Sequence, residues 1–188
     1  CFSASQEVQY TNVYNSRKHN FDLLRKQNHE EMVKLINSSL PENAGIVRIH
    51  VAGDFFSLPY MHAWYMVAAL NPNVLFYAYT KSLKFWVGGI NELPILHNFV
   101  LTASYGGRDD HMIDEFNLRS TKVVFSEAEA EELGLAIDHD DSHAAKPSLR
   151  DNSFALLIHG TQPAGSEAST ALKKLKGKGS YSRKKLKV

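Results

Sequence analysis

The 188-residue sequence has a single cysteine, Cys1, so no internal disulfide can form and nothing calls for an oxidising compartment. The cytoplasm is the expected location on that ground. There is no unbroken apolar run of about 20 residues, the length a helix needs to cross a bilayer, so no membrane association is expected. No secretory leader is visible and the chain does not open on Met, which reads as a sequence truncated at its N-terminus. Heptads and solenoid repeats are absent. So is the Lys-Ser/Thr pair that a P-loop would require after Gly106-Gly107.

What is present matches an ordinary globular chain, with 44% hydrophobic and 22% charged residues. That length lets one core bury most of the apolar surface, so residues 1–172 are expected to form a single α/β domain. The net charge of +1 hides a polarised distribution. From Lys173 to Val188 there are eight basic residues and no acidic one, leaving 13 basic against 20 acidic in the other 172. Residues 173–188 therefore read as a basic, flexible tail able to contact nucleic acid phosphates.

Short apolar runs alternate with segments of helical spacing, the pattern of βα units around a parallel sheet. Five strands are expected, over Ile46–Val51, Val74–Tyr79, Phe99–Ala103, Lys122–Phe125 and Phe154–Ile158. Phe21, Leu24, Met32, Leu35 and Ile36 predict one helix running from a cap at Asn20 to Ile36. Ser57 with Pro59 starts another, which Asn71-Pro72 stops. Ser126 and Glu129 form a Ser-x-x-Glu capping box, with Gly134 closing that helix. Residues 138–153 have no periodicity and are expected to be a loop.

The alternation Val47-Arg48-Ile49-His50-Val51 differs from the continuous apolar run of a strand buried on both faces. One face carries Arg48 and His50, and a sheet closed into a whole or partial barrel would turn them inward, where they need partners or a ligand. Gly53 allows close backbone approach and Asp54 follows at the carboxyl end of the strand, where α/β folds place ligands. Thr80, Lys81 and Ser82 occupy the same position after the second strand, Ser104 after the third, and His159 after the last. Asp54, Lys81, Ser104 and His159 are thus expected around a common hollow that takes a small-molecule substrate or cofactor.

The string Arg48-Ile49-His50-Val51-Ala52-Gly53-Asp54-Phe55-Phe56-Ser57, then Tyr60, Trp64 and Phe76-Tyr77-Ala78-Tyr79-Thr80-Lys81-Ser82-Leu83, resembles the phage-borne gene product 88 family. The resemblance extends through Leu101-Thr102-Ala103-Ser104 and His159-Gly160-Thr161-Gln162. That family is in turn distantly similar to radical S-adenosylmethionine proteins, whose partial (β/α) barrels hold a [4Fe–4S] cluster on a Cys-x-x-x-Cys-x-x-Cys loop. The resemblance implies a radical S-adenosylmethionine-like enzyme domain in a host cytoplasm, with Cys1 as the last of three cluster ligands and the cluster loop incomplete in this chain. It also implies Gly53 and Asp54 at the methionine ammonium; strand order and chemistry then put Thr80, Lys81, Ser82, Ser104 and His159 around cofactor or substrate. His50, Asp54 and Lys81 would carry the chemistry.

Two other readings compete. A noncatalytic phage accessory or nucleic-acid-binding protein would use residues 173–188. A metal-assisted hydrolase would combine His50 and Asp54 with Asp138, His139, Asp140, Asp141 and His143, where His139 and His143 have i,i+4 spacing.

Overall fold

A computed structural model describes residues 2–181. In chain order it contains helices α1 (Phe2–Gln9), α2 (Thr11–Leu24) and α3 (His29–Ser39), strand β1 (Ile46–Arg48), helix α4 (Leu58–Leu70) and strand β2 (Leu75–Thr80). A short turn α5 (Leu83–Phe85) runs into a π-helical turn (Trp86–Ile90), followed by β3 (Phe99–Ser104), α6 (His111–Glu115) and β4 (Ser120–Val124). The remainder is α7 (Glu127–Glu132), β5 (Ala136–Asp138), α8 (Ser142–Ala145), a 3-10 turn (Pro147–Leu149), β6 (Phe154–Leu157) and α9 (Glu167–Lys174).

The chain is α/β with parallel strands, the partial (β/α)-barrel class expected from the sequence. It divides into two compact units, Asn15–Arg119 and Cys1–Tyr14 with Ser120–Val188. No helix among the described residues is long and apolar enough to cross a membrane.

In the unit Asn15–Arg119, β2 pairs in parallel with β1 and with β3, in the registers Arg48↔Tyr77 and Thr80↔Ala103. The carboxyl ends of three strands therefore lie side by side. Ser57 caps α4 by accepting the Tyr60 N–H, and Pro59 sits in the first turn, as expected. Helix α4 buries Tyr60, Met61, Ala63, Tyr65, Val67 and Ala68. It does so in one cluster with Met32 and Ile36 of α3 and with Phe76, Ala78 and Leu101 of β2 and β3. A helix covered on more than one side has little need for a polar face, which is why its sequence is apolar almost throughout.

The helix expected over residues 20–36 is two helices. Asn20 lies inside α2, and the cap is Asn28. The Asn28 side chain accepts the Glu31 N–H at 3.0 Å while Glu31 accepts the Asn28 N–H at 3.1 Å, a reciprocal pair that fixes a new start. Strand β1 also ends earlier than expected, at Arg48. The Arg48 guanidinium turns back to donate to the His50 carbonyl at 3.1 Å and lies 5.1 Å over the Tyr79 ring, so the chain bends before Val51, which is exposed.

In the unit containing Ser120–Val188, β6 pairs in parallel with β4 and with β5, in the registers Val124↔Leu157 and Asp138↔Leu156. Val124, Ala130, Ala155 and Leu157 form its core, with Leu135, Ile137 and Leu175 packed against them. Within residues 138–153, which the sequence suggested were a loop, β5 ends at Asp138, and helix α8 and the 3-10 turn Pro147–Leu149 follow. The expected capping box at α7 is half formed. Ser126 accepts the Glu129 N–H at 3.1 Å, but the Glu129 carboxylate takes the Phe125 N–H at 2.8 Å.

Candidate functional site

The segment after β1 positions Asp54. Gly53 has φ +87°, a left-handed conformation that an L side chain adopts only with strain, and it swings the next residue across the sheet edge. The Asp54 carboxylate accepts the Phe55 N–H at 2.8 Å and the Thr80 hydroxyl at 2.6 Å on Oδ1, and the Lys81 N–H at 2.6 Å on Oδ2. Thr80 in turn accepts the Ser82 N–H at 3.0 Å, and the Ser82 hydroxyl donates to the Phe55 carbonyl at 2.8 Å. One half-buried carboxylate thus ties the turn after β1 to the end of β2. Gly53, Asp54, Thr80, Lys81 and Ser82, expected at the site from sequence, are brought together.

Lys81 reaches across to the end of β3, where its ammonium donates to the Tyr105 carbonyl, next to Ser104. A turn follows in which the Asp110 carboxylate accepts the Gly106 and Gly107 N–H groups, each at 2.8 Å. A Cβ at Gly106 would fall 2.9 Å from the Lys81 Nζ, so that turn passes directly beside the ammonium. Partial withdrawal from water lowers the Lys81 pKa from its ordinary value, against the opposing carboxylates of Asp110 and Asp54.

His50 completes the group from below. Its Nε2 is 3.1 Å from the Tyr60 hydroxyl, and its ring meets Phe55 edge-on at 4.7 Å. Its Nδ1 is buried without a hydrogen-bond partner. Burial pulls the imidazole down to about 4 from 6.5, with the nearby Asp54 charge acting in the opposite direction. His50 is therefore a neutral ring with an unused nitrogen. Tyr60 was not anticipated as its partner, although a hydroxyl one turn into a capped helix behind a strand end was visible in the sequence.

The depressed value has a measurable consequence. An imidazole that resists protonation only when folded leaves the unfolded chain binding more protons between pH 6.5 and about 4. The stability it contributes is fully present above pH 6.5 and is lost as pH falls through that window, by about 3 kcal/mol in all. Urea unfolding followed across that range is expected to show this slope in the wild type. It should lose about one proton's worth of slope in His50→Leu, and an unchanged slope would contradict the buried neutral ring.

His159 follows β6 in the unit containing Ser120–Val188, with Nδ1 2.9 Å from the Leu157 carbonyl, its own carbonyl accepting from Gln162 at 2.6 Å, and its ring edge-on to Tyr181 at 4.8 Å. Cys1, the expected cluster ligand, lies outside the described residues. The loop proposed as a metal centre has a different organisation. Asp138 is buried, and its carboxylate accepts the Asp140 N–H at 3.1 Å and, from the first turn of α8, the His143 N–H at 3.0 Å. His143 is helical and His139 is not, which removes their i,i+4 relation. Among the described residues no group of three or more His, Cys, Asp or Glu is placed to hold a metal ion.

A [4Fe–4S] cluster takes cysteine thiolates, and the single cysteine of this sequence does not supply a donor set for one. The ends of β1 and β2 bring together the Asp54 carboxylate, the Lys81 ammonium that donates to the Tyr105 carbonyl, and the His50 Nδ1 without a hydrogen-bond partner.

Comparison with known proteins places the chain in context. A family model described as Gene product 88 matches residues 1–176. The Gene 88 protein of Mycobacterium phage L5 is 33% identical over 90 residues, taking in 43% of this chain. The chain spans 38% of the length of that curated relative. No solved structure matches.

Proposed function

The chain belongs to the Gene product 88 family, and from that premise we propose that its Asn15–Arg119 unit binds a small molecule bearing an α-amino-acid end, of the S-adenosylmethionine type, at the carboxyl ends of β1, β2 and β3. The observation that carries this reading is the Asp54 carboxylate, held by the Lys81 main-chain N–H at 2.6 Å, beside the Lys81 ammonium and the orphaned Nδ1 of His50. Parallel α/β sheets bind ligands outside the carboxyl ends of their strands, and this is where the three polar groups meet.

Each group has a role that follows from its chemistry. Asp54 holds a negative charge at the strand ends and orients the Lys81 backbone, so an ammonium ligand finds a fixed counter-charge. Lys81 supplies a cation for a carboxylate or for the polar edge of a substrate. His50, neutral at physiological pH, offers one hydrogen bond without adding charge. Ser104 and Ser82 line the neighbouring strand ends as further polar contacts. Radical chemistry would need a cluster whose thiolates this chain does not supply, so the proposal concerns binding by the scaffold, and no step is assigned to a cluster.

Titration calorimetry with S-adenosylmethionine and S-adenosylhomocysteine tests this reading directly. Saturable binding is expected for both, and Lys81→Met should weaken it tenfold or more, the scale of one lost charge-assisted contact of about 1.5–3 kcal/mol. No saturable heat up to about 1 mM ligand would remove the proposal.

A further inference from the structure

Four of the eight basic residues from Lys173 onward, Lys173, Lys174, Lys176 and Lys178, fall within the described residues. All four are exposed. Among the described residues their ammonium groups form no ion pair, and the sequence offers no acidic residue after Glu167 to pair with them locally.

These lysines do not belong to a loose end. Ser166 caps α9 by accepting the Ser169 N–H at 3.1 Å, Ala171 is buried, and Leu175 packs onto the Val124, Ala155 and Leu157 core. Five residues later the chain is fixed again. Ser180 is buried at the ends of β5 and β6, donating its hydroxyl to the Asp138 carbonyl at 2.5 Å and accepting the Leu157 N–H at 2.9 Å. The Tyr181 N–H donates to the His139 carbonyl at 2.9 Å, and its hydroxyl to the Asp141 carboxylate at 2.5 Å. Lys176 and Lys178 therefore sit on a segment held at both ends.

Favourable interaction with a helix C-terminus accounts for Lys173 and Lys174 in the last turn of α9, but that effect falls off within one turn and does not explain the two lysines beyond it. Lys176 is the more telling residue. Its φ is +48°, in the left-handed region where helices ordinarily place Gly or Asn, and where an L side chain costs roughly 1–2 kcal/mol. Gly177 beside it is also left-handed, at φ +82°, so two consecutive residues share that region and one of them is a lysine.

The chemistry of the strip selects its partner. A membrane-binding segment would expose apolar residues beside its cations, whereas here Ala171 is buried and Leu172 and Leu175 are half-buried. Protein interfaces are depleted in lysine and rely on aromatic, Met and Arg anchors, which this strip lacks. Single-stranded nucleic acid calls for exposed aromatic platforms, while the nearby Tyr181 has its hydroxyl on Asp141 and its ring against His159. Closely spaced point charges without apolar or stacking groups match a duplex backbone, which is bound through phosphate neutralisation. We propose that Lys173, Lys174, Lys176 and Lys178 form an anchored cationic strip that binds the phosphodiester backbone of a duplex nucleic acid without reading its sequence.

The test uses the full chain, with residues 182–188 unaltered, and fluorescence anisotropy with random-sequence DNA and RNA duplexes of matched length over about 50–200 mM salt. The wild type is expected to bind at least one duplex, and the tighter of the two identifies the natural source of the backbone. In the quadruple Lys→Gln variant the slope of log K against log salt should shrink by about 3 to 4, near 0.9 for each lost phosphate contact, and affinity at the lowest salt should drop at least tenfold. The quadruple Lys→Arg variant should retain binding, and an unchanged thermal midpoint confirms that both variants fold. An unchanged slope in the Gln variant assigns binding to other residues and overturns the proposal. So does binding only to single strands, or only to vesicles containing phosphatidylserine.

Discussion

Gly179→Ala is expected to destabilise the unit containing Ser120–Val188 by about 2–4 kcal/mol, the range for overpacking combined with a displaced buried hydrogen bond. A Cβ at this position would overlap the backbone carbonyl oxygen of Ile158, 2.4 Å away. A carbonyl in the main chain just past β6 cannot swing aside as a side-chain end can, so the 179–181 segment must lift instead. Lifting it removes the Ser180 bridge between the Asp138 carbonyl and the Leu157 N–H. For a chain of this length the thermal midpoint should fall by roughly 5–15 °C. Gly177→Ala is the control. Its φ of +82° disfavours a side chain, but nothing lies within 4 Å of the added methyl, so the cost should stay near 1 kcal/mol. Equal midpoints for the two variants would show that residue 179 is not packed against Ile158.

Asp54→Ala should cost about 3–5 kcal/mol. It strips the acceptor from the Phe55 N–H, the Thr80 hydroxyl and the Lys81 N–H together, and Thr80 is fully buried. Each buried donor left without a partner carries a desolvation penalty of about 1–3 kcal/mol, reduced where water can enter. Asp54→Asn should cost less, because its carbonyl can replace Oδ1 while its amide opposes the Lys81 N–H. The order wild type, Asn, Ala in urea midpoint is the expected result. Amide exchange at Phe55 and Lys81 should accelerate in the same order. An Asp54→Ala protein as stable as the wild type would mean that the carboxylate does not join the two strand ends.

These two sites illustrate which features the sequence discloses. The limits of α4 were readable because Ser57, Pro59 and Asn71-Pro72 act on the backbone beside them. Strand β5 was not, because three residues carry no period and its existence depends on pairing with β6, some 20 positions away. The strand-end residues Asp54, Thr80, Lys81 and Ser82 could be picked out by residue type and position. Their hydrogen bonds could not, since Asp54 spans 27 residues to reach a main-chain N–H. Asp138 shows the converse, because composition suggested a metal ligand, and its buried carboxylate takes the main-chain N–H groups of Asp140 and His143. The early end of β1 was hidden by the Arg48-to-His50 alternation, which continues in the sequence after the pairing has changed.

Nitrogen-detected NMR of the histidine rings during titration with S-adenosylhomocysteine measures most directly whether the ends of β1 and β2 form one ligand site. The partnerless Nδ1 of His50 should shift strongly and saturably, together with the Lys81 amide. His29 and His62, hydrogen-bonded to each other at 2.9 Å between α3 and α4, should stay in place. Saturable shifts confined to His29 and His62, or a His50 ring indifferent to ligand, would contradict the account.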